Sequence, residues 1–394
     1  MTITAILAVV CFASLLLFVY PYLIYPLVLR CLSKSPVRRA PVDLPASLVF
    51  CAYNEMDGLP AKIENLRALK HLRPSLEILA YDDNSSDGTF ELLTDQKDLL
   101  TVIRGPGRTG KASGMKRLAA LARGDVLIFT DADGLLAEDA VENLMPYYAD
   151  PTVGGVCGVL RCSGGNSVTA QVGASYWGLD EQLRELESET GNVMGAMGSL
   201  FSVRRSLYPD FPDTVADDCT ASMSVVFQGK RLIKASDVVV YHESCVEHSE
   251  EVRRKVRIGA RAYHTHRHLL PQLRQMSARD KFKYISRKQI RWFGGAFLAT
   301  AALSGFTLVV QYSPAVAVLA ALFAAGAVAA GGRGGTGLVA KASEALLLVF
   351  ATFTGVLKAM RGQTMSTWVP ANSRQPAGQA GGLAVLADRS AGPG

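Results

Sequence analysis

The sequence predicts an α/β protein: a doubly wound, mostly parallel sheet whose chain continues at both ends into apolar helices. Three observations carry this. Strand-like and helix-like segments alternate from residue 46 onward. Acidic residues gather where the strand-like segments end. Long runs without charge lie near both ends of the chain. Alternating strands and helices build parallel sheets, and about 20 apolar residues span a bilayer core.

The composition agrees. The 394 residues are 49% hydrophobic and 19% charged, with a mean hydropathy of +0.19. Soluble domains carry ~25% charged residues. The apolar excess excludes general disorder and argues against an ordinary cytosolic enzyme. The acid-rich, strand-like first half argues against a helical transporter. Seven scattered cysteines, with no CxxC pair and an odd total, favour a reducing compartment.

The elements follow in order. Residues 3–29 hold no charge before Arg30. A cleaved signal peptide would start basic and hold ~7–15 apolar residues, so residues 1–35 read as a transmembrane anchor. Arg30, Lys34, Arg38 and Arg39 follow it, which places the next domain in the cytosol. Residues 44–250 read as the α/β domain. Its strands are ASLVFCAYNE, LEILAYDDNSSDGT, LLTVIR and DVLIFTDADG, and its helices are LPAKIENLRALKHL, FELLTDQ and ASGMKRLAALA. Ligands of such sheets bind beyond the C-terminal strand ends, where Asn54, Glu55, Asp82, Asp83, Asp131 and Asp133 fall.

The net charge of +6 is unevenly spread. Arg253 to Arg291 holds 13 Lys/Arg and one acid, Asp280, for +12, leaving −6 elsewhere. Residues 251–291 read as basic interfacial helices facing anionic lipid or diphosphate. No nucleic acid is expected, because the block adjoins an apolar run and lacks interleaved aromatics. Residues 292–360 read as two to three transmembrane segments, the last of them, from Glu344, a span or a re-entrant helix. Four full spans would put the C-terminus outside, whereas Lys358, Arg361 and Arg374 favour inside; a re-entrant last segment would reconcile the two. Residues 361–394 read as a disordered tail.

Four motifs carry chemistry. Asp131-Ala-Asp133 follows the apolar strand VLIFT. Adjacent strand-end carboxylates repel unless a cation lies between them, and their hard oxygens suit Mg²⁺ or Mn²⁺ with phosphate completing the shell. Asp82 to Thr89 is a capped turn that also packs two acids at a strand end. Gly105 to Ser113 nearly matches the phosphate loop GxxxxGK[ST], with Ala112 where a hydroxyl is required. Asp217 and Asp218 precede a helical segment, as a cap or as a general base. His242, in VVVYHE, is a structural histidine or an added metal ligand. Three functions stay open at this point: group transfer from an activated donor, a membrane-tethered P-loop-like nucleotide phosphohydrolase, and a non-catalytic membrane scaffold.

In their order, Cys51-Ala-Tyr-Asn-Glu55, Asp82-Asp83-Asn-Ser-Ser-Asp-Gly-Thr89, Gly110-Lys111, Thr130-Asp-Ala-Asp133 and Ala216-Asp-Asp218 resemble the family 2 inverting glycosyltransferases. The set is most similar to the membrane-bound group of hyaluronan, cellulose and poly-N-acetylglucosamine synthases. The resemblance implies a GT-A fold, a divalent cation (Mg or Mn), a UDP-sugar donor and a saccharide or lipid-linked acceptor. It further implies exopolysaccharide or glycolipid synthesis at the bacterial inner membrane. Residue by residue, it implies that Ala52, Tyr53, Glu55, Asp83 and Lys111 bind the nucleotide. Asp131 and Asp133 would hold the metal and diphosphate. Asp218 would be the general base, with Asp217 as its partner. Gly195 to Gly198, followed by Arg204 and Arg205, resembles the acceptor-side loop, with Tyr176 and Trp177 beside it as a sugar platform or a core pair. The family's Gln-x-x-Arg-Trp is not present as such. The nearest match is Arg254-Lys-Val-Arg257, with Ile258 in place of Trp. Arg253, Arg257 and Arg261 share a helix face and would reach the diphosphate or lie against lipid.

Overall fold

In the computed structural model, residues 2–163, 167–243, 248–331 and 337–365 are described. Helices α1 (Ile3–Val19) and α2 (Ile24–Arg30) open the chain and meet at 55°. Pro21 lies in the break; it has no N–H to continue the helical ladder. The α/β domain then runs β1 (Ala46–Ala52), α3 (Leu59–Leu72), β2 (Glu77–Asp82), α4 (Thr89–Thr94), β3 (Thr101–Arg104), α5 (Lys111–Leu121) and β4 (Val126–Thr130). It continues through β5 (Leu135–Leu136), α6 (Ala140–Leu144), β6 (Val153–Ser163), α7 (Val168–Glu189), β7 (Leu200–Arg204), α8 (Asp217–Phe227) and β8 (Arg231–Glu243).

These strands form one sheet in the order β3-β2-β1-β4-β7-β6-β8-β5. Strands β1 to β4 pair in parallel, as the alternation of strand and helix predicts. The other half is mixed. Strand β7 runs antiparallel to both β4 and β6, β5 runs antiparallel to β8, and β6 and β8 are parallel. The regular alternation stops after β4, where β5 follows with no helix between. Both faces of the sheet are covered. Leu48, Phe50 and Ile128 pack on one side with Ile63, Leu66 and Leu144. Val49, Leu127 and Phe129 pack on the other with Met115, Leu118 and Met223. Strands buried on both faces read as unbroken apolar runs, as VLIFT and SLVFCA do.

Beyond the sheet lie α9 (His248–Leu273), α10 (Ala278–Tyr284), a single π-helical turn (Ile285–Gln289), α11 (Ile290–Trp292), α12 (Gly294–Tyr312), α13 (Pro314–Gly331) and α14 (Leu338–Met360). Among the described residues, α12 and α14 are long and apolar enough to cross a membrane, and α1 with α2 is a third candidate if the bent pair is one span. Helix α14 is longer than its sequence suggested. Glu344 does not begin it, because its carboxylate accepts a hydrogen bond from Thr169 at 2.9 Å and lies 2.7 Å from His248 Nδ1. A paired charge is tolerated inside an apolar helix. Most of the tail expected to be disordered, residues 366–394, lies outside the described residues.

Helices α9 and α14 meet backbone to backbone. A Cβ on Gly259 would collide with the carbonyl oxygen of Thr352, and one on Gly355 with that of Val256. Only glycine permits this approach. The seam decides which arginines of α9 turn inward. Arg253 is exposed, whereas Arg254, Arg257 and Arg261 are partly buried, so two members of the expected row turn inward and Arg254 takes the place of Arg253.

Candidate active site

Two loops laced together start the site at the ends of β1 and β2. Asn54 and Asn84 both adopt left-handed backbone, at φ 50° and 64°, a region that asparagine tolerates better than most residues. Asn54 donates its N–H to Ser85 Oγ at 3.0 Å and accepts from the Ser86 N–H at 2.9 Å. Glu55 is buried, and its N–H donates to Thr89 Oγ1 at 2.9 Å. Ala52 is fully buried at the strand end.

Asp83 is fully buried. Its carboxylate accepts from Arg108 at 2.8 Å, from the Thr109 N–H at 2.7 Å and from the Gly110 N–H at 3.0 Å. Asp83 therefore organises the Gly105–Lys111 loop. The same bonds weaken the phosphate-loop reading, since a phosphate cradle needs those N–H groups turned toward the ligand. Arg108 lies 3.2 Å from the ring centroid of Tyr53 and roofs the loop pair, a role that its place in the Gly105–Ser113 motif does not signal.

Lys111 opens α5 and pairs with Asp131. Burial works against its charge, but Asp131 and then Asp217 outweigh it and hold the ammonium above its ordinary range. Asp131, Asp133 and His242 each offer a ligand atom within 4.8 Å of the others. Two carboxylates and an imidazole at that spacing fit a divalent ion, which brings His242 in with the acids. Gly134 makes room for it, because a Cβ there would lie 2.8 Å from His242 Nε2. Behind this turn sits Lys62, which nothing in its helical pattern flags. Its buried Nζ donates to the Gly134 carbonyl. Burial pushes its pKa down to about 7, against the pull of Asp133 and Asp131.

Asp217 and Asp218 form the first turn of α8. Asp217 is buried and accepts from Arg261 at 3.3 Å. Asp218 accepts from the Cys219 N–H at 2.7 Å. Burial, and next the charge of Asp217, raise the Asp218 carboxyl above the usual carboxylate range, with Lys111 and Arg261 opposing. Gly198 joins this group to Lys111, the partner of Asp131: a Cβ there would lie 3.1 Å from Lys111 Nζ and 3.4 Å from Asp218 Oδ2. The strand ends and α8 thus bring the acid pair, Lys111 and the Gly195–Gly198 loop to one place.

The outer residues divide. Arg257 belongs to the site's field. Burial and neighbouring Arg261 and Arg254 push it down to about 10, while Asp131 and Asp217 pull the other way. Arg254 instead pairs with Glu251 at 2.6 Å and lies 5.7 Å from the Trp177 ring centroid. Tyr176 meets Trp177 edge-on and takes Lys255 at 4.3 Å and Arg291 at 5.1 Å from its centroid, so the pair forms an aromatic and basic cage. Arg204 and Arg205 stand at the opposite end of the sheet: Arg204 pairs with Val126 at the start of β4 and donates to the carbonyls of Val153 and Tyr148. Trp292 is buried against His266 and Tyr284.

Known proteins match this arrangement. Residues 47–211 match the family model Glycosyl transferase family 2. The beta-monoglucosyldiacylglycerol synthase of Synechocystis sp. is 31% identical over 112 residues, covering 27% of this chain and 23% of its own length. The O-antigen chain rhamnosyltransferase RfbN of Salmonella typhimurium is 24% identical over 190 residues, covering 45% of this chain and 60% of its own. The chain thus spans less than two thirds of either relative. The solved mannosyltransferase PcManGT from Pyrobaculum calidifontis, in complex with GDP-Man and Mn²⁺, superposes with a TM-score of 0.70 at 24% identity, over 91% of this chain and 99% of that one. With its mixed sheet, parallel half and acids at the strand ends, the α/β domain has a GT-A-like fold, and its residues 47–211 match the family 2 glycosyltransferase domain.

Proposed function

We propose that the chain is a metal-dependent, inverting glycosyltransferase. It moves a sugar from a nucleotide-sugar, a UDP-sugar in our reading, to a saccharide or lipid-linked acceptor in exopolysaccharide or glycolipid synthesis. The supporting observation is the meeting of Asp131, Asp133 and His242 with Lys111 and Asp218 around Gly198. Asp131, Asp133 and His242 would hold a divalent ion, which supplies charge neutralisation for the leaving diphosphate. Lys111 adds a fixed positive charge on the same side. Glu55, Tyr53 and the Asp83-ordered loop form the nucleotide end. Asp218, its proton affinity raised by burial and by Asp217, accepts the proton of the acceptor hydroxyl. One displacement at the anomeric carbon inverts configuration and needs no covalent nucleophile.

The reading places the enzyme at the bacterial inner membrane. Residues 1–35 serve as anchor, residues 44–250 form the cytosolic transferase domain, and residues 251–291 lie at the lipid surface. The test is release of nucleoside diphosphate by the purified chain with Mn²⁺ across a panel of nucleotide-sugars. Turnover that disappears in Asp133→Asn supports the proposal. A chain that turns over no nucleotide-sugar, or an Asp133→Asn variant as active as the parent, defeats it.

A further inference from the structure

Gly195 and Gly198 stand three residues apart in one loop, and each has a lysine against it. On the Gly198 side that lysine is Lys111, already neutralised by Asp131. On the Gly195 side it is Lys288. A Cβ on Gly195 would lie 3.5 Å from Lys288 Nζ and 3.3 Å from the sulfur of Cys219, the residue that follows Asp218. The loop is fixed at both positions by hydrogen bonds: the Met194 N–H donates to Glu187 Oε2 at 3.0 Å and the Ala196 N–H to Ser222 Oγ at 2.8 Å. Lys288 comes from the π-helical turn Ile285–Gln289. Such a turn holds an extra residue, and here Arg287 enters the interior to meet Glu187 while Lys288 takes the Gly195 side. Lys288 is partly buried, and among the described residues no hydrogen bond or ion pair engages it. An enclosed ammonium without a counter-ion is unfavourable unless a ligand supplies the anion. The loop thus has a compensated lysine on the side of the metal-binding acids and an uncompensated one on the other.

We propose that Lys288 is an acceptor-recognition residue and that the acceptor it selects carries a phosphate at or beside its reacting oxygen. This rests on the glycosyltransferase reading and narrows it to one class of acceptor. In the transfer, the acceptor oxygen bonds to the anomeric carbon as the bond from that carbon to the diphosphate breaks. The electron pair leaves with the nucleoside diphosphate; an acceptor hydroxyl passes its proton to Asp218, whereas a phosphate oxygen is already ionised and attacks without losing one. Lys288 offsets the repulsion between an anionic acceptor and the anionic donor. The turn that carries Lys288 stands five residues before the apolar helix α12, which favours a lipid-borne phosphate over a soluble one.

The test uses the full chain in nanodiscs with Mn²⁺ and a nucleotide-sugar that it turns over. Three acceptors are compared: a polyprenyl phosphate, a hexose phosphate and neutral diacylglycerol. Transfer to either phosphate acceptor over diacylglycerol supports the proposal, and the preferred one identifies the source. Lys288→Met should raise the acceptor KM at least ~10-fold, the scale of one charge-assisted hydrogen bond, with the donor KM nearly constant, and Lys288→Arg should restore much of the loss. Equal or better use of diacylglycerol overturns the proposal, as does an unchanged acceptor KM in a Lys288→Met variant that retains the parent melting temperature. Failure to turn over any nucleotide-sugar would instead strike the parent reading.

Discussion

Two clusters of charge lie close together in this protein, and they are built on opposite rules. One joins α7 to α2, the π-helical turn and α11. There Asp180 accepts from Arg184 at 2.9 Å, Arg287 at 3.1 Å and Arg291 at 2.8 Å. Glu187 accepts from Arg287 at 2.6 Å and from the Tyr25 hydroxyl at 2.7 Å. Burial would raise the Asp180 carboxyl, but Arg287 and the other guanidinium groups hold it well below its usual range. The other cluster is the site. Asp131, Asp133, Asp217 and Asp218 crowd together, Lys111 and Arg261 are paired, and among the described residues Arg257 and Lys288 have no hydrogen-bond or ion-pair partner. A cluster that completes itself holds the fold; one that leaves two cations without such a partner expects an anionic ligand. Buried ion networks perturb pKa values in both settings, so the open valences, rather than the shifts, separate the two.

The contrast predicts where each substitution will be felt. The largest effect belongs to Asp218→Asn, which should cut the transfer rate by ~10³-fold, the scale of a lost general base, with the melting temperature nearly constant. Arg287→Met should do the reverse. It leaves Asp180 and Glu187 short of a partner in the interior, at a cost of about 3–5 kcal/mol, read as a fall in melting temperature. His242→Gln should weaken Mn²⁺ binding by ~10–100-fold, measured by titrating activity with metal, and Asp133→Asn should weaken it further.

Gly355→Ala should destabilise by about 1–3 kcal/mol, the usual penalty for forcing atoms into a packed contact, seen as a lower melting temperature. The smallest effect is a shift in pH. With Asp218 as the proposed base, the rate should fall on the acid side through a pKa above the ordinary ~4 of aspartate. Asp217→Asn removes a neighbouring negative charge, so the acid limb should move to lower pH. A limb that stays in place would mean that another group governs it.

Much of this was legible in the sequence. Helix α3 runs from Leu59 to Leu72, the segment read from its spacing, because Pro60 in its first turn and an apolar stripe mark it plainly. Strands β1, β2 and β4 were visible because burial on both faces makes them continuous apolar runs. The acids of the site were legible because each ends such a run. Other features depend on contacts that periodicity does not encode. The antiparallel placement of β7 follows from a long excursion through α7. On α9 the spacing gives Arg257 and Arg261 but not the exchange of Arg253 for Arg254, because Gly259 and Gly355, not hydrophobicity, set the rotation of the helix. Lys62 reads as an ordinary charged helix residue until the Gly134 carbonyl is seen above it. Lys288 is the hardest case, since one π turn changes which side chain faces inward and carries no composition signal of its own.

The seam between α9 and α14 has a mechanical meaning. Side chains yield by changing rotamer, and most helix contacts absorb small displacements in that way. Here two backbones touch at glycines and leave no such cushion. One of the two helices is apolar enough to lie in lipid, and the other carries Arg257 and Arg261 into the field of Asp217. A displacement of α14 would therefore pass undamped into α9 and the guanidinium groups that it carries, so the pair moves as one rigid strut.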